Sequence, residues 1–294
     1  MEPDQGASQD GYTEVTFRRT VNVKRSTFFG SPGPFLHPRA VLFDPSLRSF
    51  LVSDWHHLRE LNLAGEQIKE HSGVVTMPFS LAQTAEGRLL VCDYGEGRLA
   101  FTDRAGETAK WGHFKTGSQP ADLAVGAERI YVVQHGFEIA AYTADGSLDS
   151  LWGSFCPLTQ SARWEYPLRI AMTPLGLAVA EASRRRLLLL DPASGEERKI
   201  VDCQNFFHGG VVHLAAGRTK NTDLLITRDS ILACDSRSGI HIFSQSLEPM
   251  GKLHVPALKM PMGLCSSPYN LWVCDLGRPD TTKERAAVHR IYSG

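Results

Sequence analysis

Hydrophobic residues along the chain fall in short runs separated by polar turns rich in Gly and Asp. The clearest instance spans residues 88–103 and reads R-L-L-V-C-D, then Y-G-E-G, then R-L-A-F-T-D. Two apolar runs flanking a four-residue turn with two glycines predict an antiparallel hairpin whose strands pack on both faces. The pattern recurs with an acid or amide closing the first run, at Asp54, Asp93, Gln134, Glu181, Asp235 and Asp275. The spacings of 39, 41, 47, 54 and 40 residues equal or slightly exceed the period of a propeller blade. Six repeats predict an all-β fold, a six-bladed β-propeller.

Residues 1–12 are polar and are expected to form a disordered tail, with residues 13–294 making the propeller. The last repeat offers three strands, at 262–266, 271–275 and 288–292. A four-stranded blade needs one more, and a closed ring leaves no sheet edge open. Residues 13–23, T-E-V-T-F-R-R-T-V-N-V, alternate well enough to be that outer strand and to close the ring. In the fifth repeat either 210–215 or 223–227 serves as the first strand.

Each first strand is led by a proline signal, as in F-L-H-P-R-A-V, T-M-P-F-S-L, S-Q-P-A-D-L, E-Y-P-L-R-I and K-M-P-M-G-L, with F-F-H-G-G-V-V in the fifth. Proline fixes the backbone where the chain enters a blade and needs no ladder partner. A proline-led first strand, a hydrophobic second strand ending in Asp, a turn, and an Arg-led third strand at Arg59, Arg98 and Arg185 or Arg186 together resemble the NHL repeat. That repeat carries P-x-G-[IV] at its start and V-x-D-x-x-N-x-R-I at its hairpin; here the Gly stands at Gly263 and Gly210, and the hairpin Asn is absent. The resemblance implies an NHL-type propeller like the C-terminal domain of tripartite-motif ubiquitin ligases. Its implied partner is a protein substrate or a single-stranded RNA, with oligomerisation only through a parent chain. The sequence holds no RING or B-box cluster, so the resemblance puts ligase activity outside it.

Of the 294 residues 42% are hydrophobic, enough for a core, and no apolar run approaches the roughly 20 residues of a membrane span. The leading M-E-P-D-Q-G-A-S-Q-D lacks the basic flank and apolar centre of a signal peptide, so a cytosolic or nuclear site is expected. A net charge of −1 excludes a globally basic nucleic-acid binder; DNA is not expected, and any RNA site has to be a local patch. Cys92, Cys234 and Cys274 share one register in three repeats, too far apart to bond, and read as small buried side chains.

In a propeller, the loop between second and third strands and the loop leading into each first strand emerge on one face. The hairpin loops contribute Trp55, His56, Tyr94, Arg98, His135, Phe137, Arg184, Arg185, Arg237 and Arg278. The lead-in loops contribute Arg39, Trp164, Tyr166, Arg169, Phe207 and His208. Interleaved aromatic and basic side chains suit RNA, whose splayed bases stack on rings while Arg neutralises phosphates. Aromatic-rich patches equally mark protein-binding surfaces. The densest basic group is expected on blades four to six, at Arg169, Arg184, Arg185, Arg237 and Arg278. The marker acids are expected to accept hydrogen bonds from turn amides two residues on.

An enzyme is the remaining alternative. His37, His135 and His208 fall on the same face, as a three-His metal site would require. The Asn and Glu of a calcium lactonase-type site are replaced at the inner strands by Ala40, Ser80, Asp122, Arg169 and Gly263. No nucleophile elbow, phosphate loop or H-E-x-x-H stretch occurs. The expectation is therefore a non-catalytic recognition domain with no cofactor, metal or catalytic residue.

Overall fold

The computed structural model describes residues 13–14, 20–22, 26–29, 35–102, 111–134, 137–153, 163–164, 168–205, 207, 211–216, 230–237, 239–266, 270–277 and 286–291. Regular structure among them is all β. The chain starts with β1 (Thr13–Glu14), β2 (Thr20–Asn22) and β3 (Ser26–Phe29). Blade one is β4 (Pro38–Asp44), β5 (Ser49–Asp54), β6 (His57–Leu61) and β7 (Gln67–Glu70). Blade two is β8 (Pro78–Gln83), β9 (Leu89–Asp93), β10 (Arg98–Thr102) and β11 (Trp111–Lys115). Blade three is β12 (Pro120–Val125), β13 (Ile130–Gln134), β14 (Glu138–Tyr142) and β15 (Leu148–Trp152). Blade four is β16 (Leu168–Thr173), β17 (Gly176–Glu181), β18 (Arg186–Leu190) and β19 (Glu197–Asp202). Blade five is β20 (Val211–Ala216), β21 (Ser230–Asp235), β22 (Gly239–Ser244) and β23 (Pro249–His254). Blade six is β24 (Pro261–Ser266), β25 (Leu271–Asp275), β26 (Ala287–Ile291) and the leading β3.

Every blade is an antiparallel meander running outward from its first strand. The first strands touch in sequence, β4 to β8, β12, β16, β20, β24 and back to β4, so the ring is closed. Second strands such as Leu-Leu-Val-Cys-Asp of β9 are buried at every position, because both faces lie against neighbouring blades; a continuous apolar run is the sequence form of such a strand. Outer strands are wetter, and Gln-Ile-Lys-Glu of β7 is exposed throughout. The layer between blades one and six combines Val41, Phe50, Val52 and Leu61 with Trp272, Cys274 and Val288. Fully burying each large side chain there contributes about 1.5–3 kcal/mol.

Two expectations about the ring are resolved. The outer strand of blade six is β3, antiparallel to β26 with Ser26 opposite Ile291 and Phe29 opposite Val288. It is not residues 13–23. Those lie earlier on the rim: β1 runs parallel to β19 with Thr13 opposite Val201, and β2 runs parallel to β23 with Thr20 opposite Lys252. The leading segment thus adds a fifth strand to blades four and five before completing blade six. Period-2 alternation identifies a strand but not the edge it joins, which is why the pairing was displaced. In blade five, β20 pairs with β21 and settles the first strand at Val211–Ala216; the alternative 223–227 and the tail 1–12 lie outside the described residues.

Ring closure is tightest at Gly263 in β24. A Cβ there would stand 2.0 Å from the Arg39 carbonyl oxygen and 3.1 Å from the Ala40 Cα of blade one, so only glycine allows the approach. No helix among the described residues is long and apolar enough to cross a membrane.

Candidate recognition face

The marker acids hold this face together. Asp54, Asp93 and Asp275 each stand at the end of a second strand, with the carboxylate aimed at the loop that leads into the same blade. Asp54 accepts from the amides of Leu36 at 2.8 Å and His37 at 2.5 Å. Asp93 accepts from the Thr76 amide, the Thr76 hydroxyl and the Met77 amide, each at 3.0 Å. Asp275 accepts from Lys259 at 3.0 Å and Met260 at 2.5 Å. Backbone bonds finish the weld, from Trp55 to His37, Tyr94 to Met77 and Leu276 to Met260.

The third strand supplies a basic side chain to the same acid. Arg59 Nε is 3.2 Å from Asp54, Arg98 Nε 3.0 Å from Asp93, Arg186 pairs with Glu181, and His289 Nε2 is 3.6 Å from Asp275. Burial pushes the Asp275 carboxyl up, but hydrogen bonds from His289 and from the Lys259 and Met260 amides outweigh it and hold the group below its ordinary value. The expected bond to an amide two residues on occurs at Asp235, which accepts from Arg237 at 2.7 Å. At Asp54, Asp93 and Asp275 the partner is instead the lead-in loop, 15 to 18 residues upstream. In blade three Gln134 bonds the Tyr142 hydroxyl, which also accepts from the Gly117 amide at 3.3 Å.

Upon this frame blades one and two carry a continuous aromatic and basic surface. Trp55 is 39% exposed at the hairpin tip with φ of 54°. Its ring lies 5.2 Å from that of His37 and 5.3 Å from that of the exposed His56, and His56 Nδ1 is 2.6 Å from the Thr76 carbonyl. Burial, then the Arg39 charge, pushes the His37 pKa down. The Arg39 guanidinium sits 4.0 Å above the Phe79 ring, which stacks on Tyr94 at 4.4 Å and 14°. Leu36 is 64% exposed beside them; a lone Leu in a loop gives no sequence signal for this.

Elsewhere the predicted residues divide. Arg98 also donates to the Val74 carbonyl at 3.2 Å and is part of the weld. Phe137 is half-buried at the blade-three turn. Trp164 and Phe207 are corrections: both are fully buried. Trp164 donates to Glu197 at 3.0 Å under the Arg163 guanidinium, and Phe207 packs edge-on against His241 and Phe243. Large rings at these loops wedge between blades, where burial gains most. Arg184 lies 3.3 Å from Glu181, whereas Arg185, with φ of 50°, and Arg237 are exposed. His135, Tyr166, His208 and Arg278 lie outside the described residues. So do two members of the three-His set; among the described residues no three metal-ligating side chains converge.

The second positions of β4, β8, β12, β16 and β24 line the ring axis at this face. A cavity of about 20 Å³ there is lined by Arg39, Phe79, Ser80, Ala121, Asp122, Arg169, His213 and Met262. Below it a channel of about 150 Å³ runs between the six inner strands, touching Leu42, Gln83, Ala124, Met172, Ala215 and Cys265. Asp122 stitches three blades, accepting from Ser80 Oγ at 2.6 Å, the Leu123 amide at 3.0 Å and the Ile170 amide at 3.0 Å. Arg169 donates to the Leu168 carbonyl at 2.8 Å. His213 Nε2 faces the Leu264 carbonyl at 3.1 Å and so carries the proton, and burial lowers the pKa of the ring.

No family model matches the chain, and no curated protein matches it. Solved structures share its fold. The calcium-binding protein regucalcin from Agrobacterium tumefaciens is 15% identical, over 92% of this chain and 94% of that one, with a TM-score of 0.65. BBS1N, solved in complex with ARL6DN, is 14% identical over 90% and 81%, with a TM-score of 0.57. Virginiamycin B lyase from Staphylococcus aureus is 12% identical over 92% and 99%, with a TM-score of 0.57. Such identities speak for fold alone, and with the closed ring of six blades they make the chain a six-bladed β-propeller.

Proposed function

We propose that the chain is a recognition module without chemistry of its own, binding a protein partner through the hairpin-loop face of blades one and two. The observation that carries this reading is Trp55, an exposed indole in a left-handed backbone. That conformation costs a non-glycine residue roughly 1–2 kcal/mol, and strain kept at a surface aromatic points to contact with a partner. Trp, Tyr and Arg are the commonest interface anchors, and Leu36, Arg39 and the Phe79–Tyr94 stack extend the patch. Propellers of this fold enter protein complexes, as BBS1N does with ARL6DN. The order of proline, marker acid and third-strand Arg supports kinship with the NHL-type propellers of tripartite-motif ubiquitin ligases. In that kinship this face selects the target and ligation belongs to another part of a longer protein. The test is to select peptides on the full chain from a random displayed library and measure their affinity for wild type and Trp55→Ala. Loss of about tenfold or more with unchanged thermal stability supports the reading; selected peptides indifferent to every substitution on this face contradict it.

Single-stranded RNA is the second reading, favoured by the exposed Arg185 and Arg237. A surface pocket of about 420 Å³ lined by Ser183, Arg184, Arg185, Arg186, Asp202 and Gln204 lies beside the first of these. RNA binding there weakens steeply with added salt and with Arg185→Glu. Salt-insensitive or absent binding removes this reading.

A further inference from the structure

We propose that the outer edge of blade three, β15, is a docking site for an extended segment of a protein partner, added parallel to it as one further strand. This surface lies on the rim of the ring and is independent of the hairpin-loop face.

The chain uses such edges itself. In blades three, four and five the pairing of third and fourth strands skips one residue, at Asp149, Arg198 and Met250. Three positions beyond that bulge stand Trp152, Val201 and Leu253. The leading segment lays Thr13 opposite Val201 and Val21 opposite Leu253, parallel in both cases. One register is thus used twice. On β15 the same register puts a docked residue opposite Trp152, and among the described residues no strand pairs with that side of β15.

Ladder bonds decide which groups face outward. The Cys203 amide donates inward to the Arg185 carbonyl, and the bonds of an antiparallel pair alternate, so the Ile200 carbonyl points away from β18 and toward β1. Leu151 stands at the equivalent position of β15. Its carbonyl is the acceptor for the amide of the docked residue.

Side chains set this edge apart from β7 and β11, the outer strands of blades one and two. Edge strands escape unwanted pairing by carrying charge, above all Lys. Lys69 and Lys115 stand on β7 and β11, with Glu70 and His113 at the position of Leu151. β15 reads Leu-Asp-Ser-Leu-Trp, and its one charge, Asp149, pairs with Arg129 at 3.0 Å. Leu148 is 57% and Leu151 43% exposed, whereas Ile200 beside β1 is half-buried. A β-branched residue opposite Trp152 with an apolar residue on either side turns those two neighbours to the face of Leu151 and covers it.

The occupant is a partner's segment rather than the start of this chain. Thr13 and Val21, on adjacent blades, are eight residues apart. The same step back from Thr13 falls on Gln5, within P-D-Q-G, whose Pro, Asp and Gly are depleted in strands.

The test is NMR titration of the full chain, with the amide and methyl signals of Leu151 as reporter. The probe is acetyl-Lys-Val-Thr-Val-Lys-amide; a second peptide with Pro in place of Thr lacks the amide that the Leu151 carbonyl accepts. Saturable shifts at Leu151 and Trp152 are expected with the Thr peptide. Binding should be about tenfold weaker or worse for the Pro peptide and for Leu151→Lys, and unchanged by Leu63→Lys on blade one or by Trp55→Ala. A nitroxide at the peptide's N-terminus should broaden Leu148 more than Trp152, as parallel addition requires. Should Leu151→Lys fail to fold, the Pro peptide carries the test. No saturable response at Leu151, an equal response to the Pro peptide, or broadening in the reverse order overturns the inference. Two results on the free chain also overturn it. Leu151 signals that move on dilution as a dimer dissociates assign the edge to a second copy, and nuclear Overhauser contacts from Leu151 to residues 1–12 assign it to the chain itself.

Discussion

Arg98 Nε lies 3.0 Å from the carboxylate of Asp93, a group with no exposure to solvent that also binds the amides of Thr76 and Met77. One side chain thereby joins three parts of blade two: the end of β9, the start of β10 and the loop leading into β8. The same arrangement with Arg59 and Asp54 lies beneath Trp55. Loops of the hairpin-loop face are fastened in pairs by buried acids.

Asp93→Ala strands an arginine and two amides that now have a partner, and removing one member of a buried pair costs about 3–5 kcal/mol. Urea unfolding of the variant should show a loss of that order, with Asp93→Asn losing less because it keeps one acceptor oxygen. A change within about 0.5 kcal/mol for Asp93→Ala would place it with ordinary surface substitutions and contradict the weld.

Gly263→Ala drives a methyl group into the Arg39 carbonyl where the sixth blade meets the first. Backbone cannot yield there without moving the inner strand of blade one, and overpacking of this kind costs roughly 1–3 kcal/mol. The melting temperature should fall, measured by circular dichroism. An unchanged melting temperature would mean that the two strands are farther apart than described.

Stability should decline in two acid steps. His37 and His213 have pKa values lowered by burial from the ordinary 6.5. The unfolded chain therefore takes up protons before the folded one, and the stability these rings confer is present above 6.5 and lost as pH falls toward their folded values. Asp275, held below its ordinary 3.8, contributes stability that is full above that value and disappears as pH drops through its lowered one. Urea midpoints at pH 7.5 and 5.5 should differ in favour of the higher pH, and His213→Gln should narrow the difference.

Cys92, Cys234 and Cys274 are fully buried, and burial pushes each thiol well above its ordinary value. Thiolate is the reactive form, so none of the three should be alkylated by iodoacetamide in the native protein, and all should be after denaturation. Peptide mapping of the labelled chain reads this directly; rapid native labelling of any one would indicate an open blade.

The blades were legible because their signals are local: alternation, a proline lead and an acid before each turn lie within a few residues of one another. That a leading strand completes the last blade was legible too, but not which one. T-E-V-T-F-R-R-T-V-N-V alternates as an outer strand should, and only the edges left open by the other blades decide that Ser26–Phe29 closes blade six in its place. Trp55 and Trp164 are each a tryptophan in a loop of one face, yet one is exposed and the other wedged between blades. That difference lies in backbone angle and in neighbours far along the chain. The meeting of Arg39 with Arg169 is likewise a product of closure, since no pairing rule connects positions so distant in sequence.

The most direct test of the face is the affinity of one displayed peptide for three forms of the full chain: wild type, Trp55→Ala and Leu47→Ser. Trp55 and Leu47 are both exposed, at opposite ends of blade one. Calorimetry should give a Kd raised about tenfold or more by Trp55→Ala and unchanged by Leu47→Ser. Equal effects of the two substitutions, or an effect of Leu47→Ser alone, would contradict the assignment of partner binding to the hairpin-loop face.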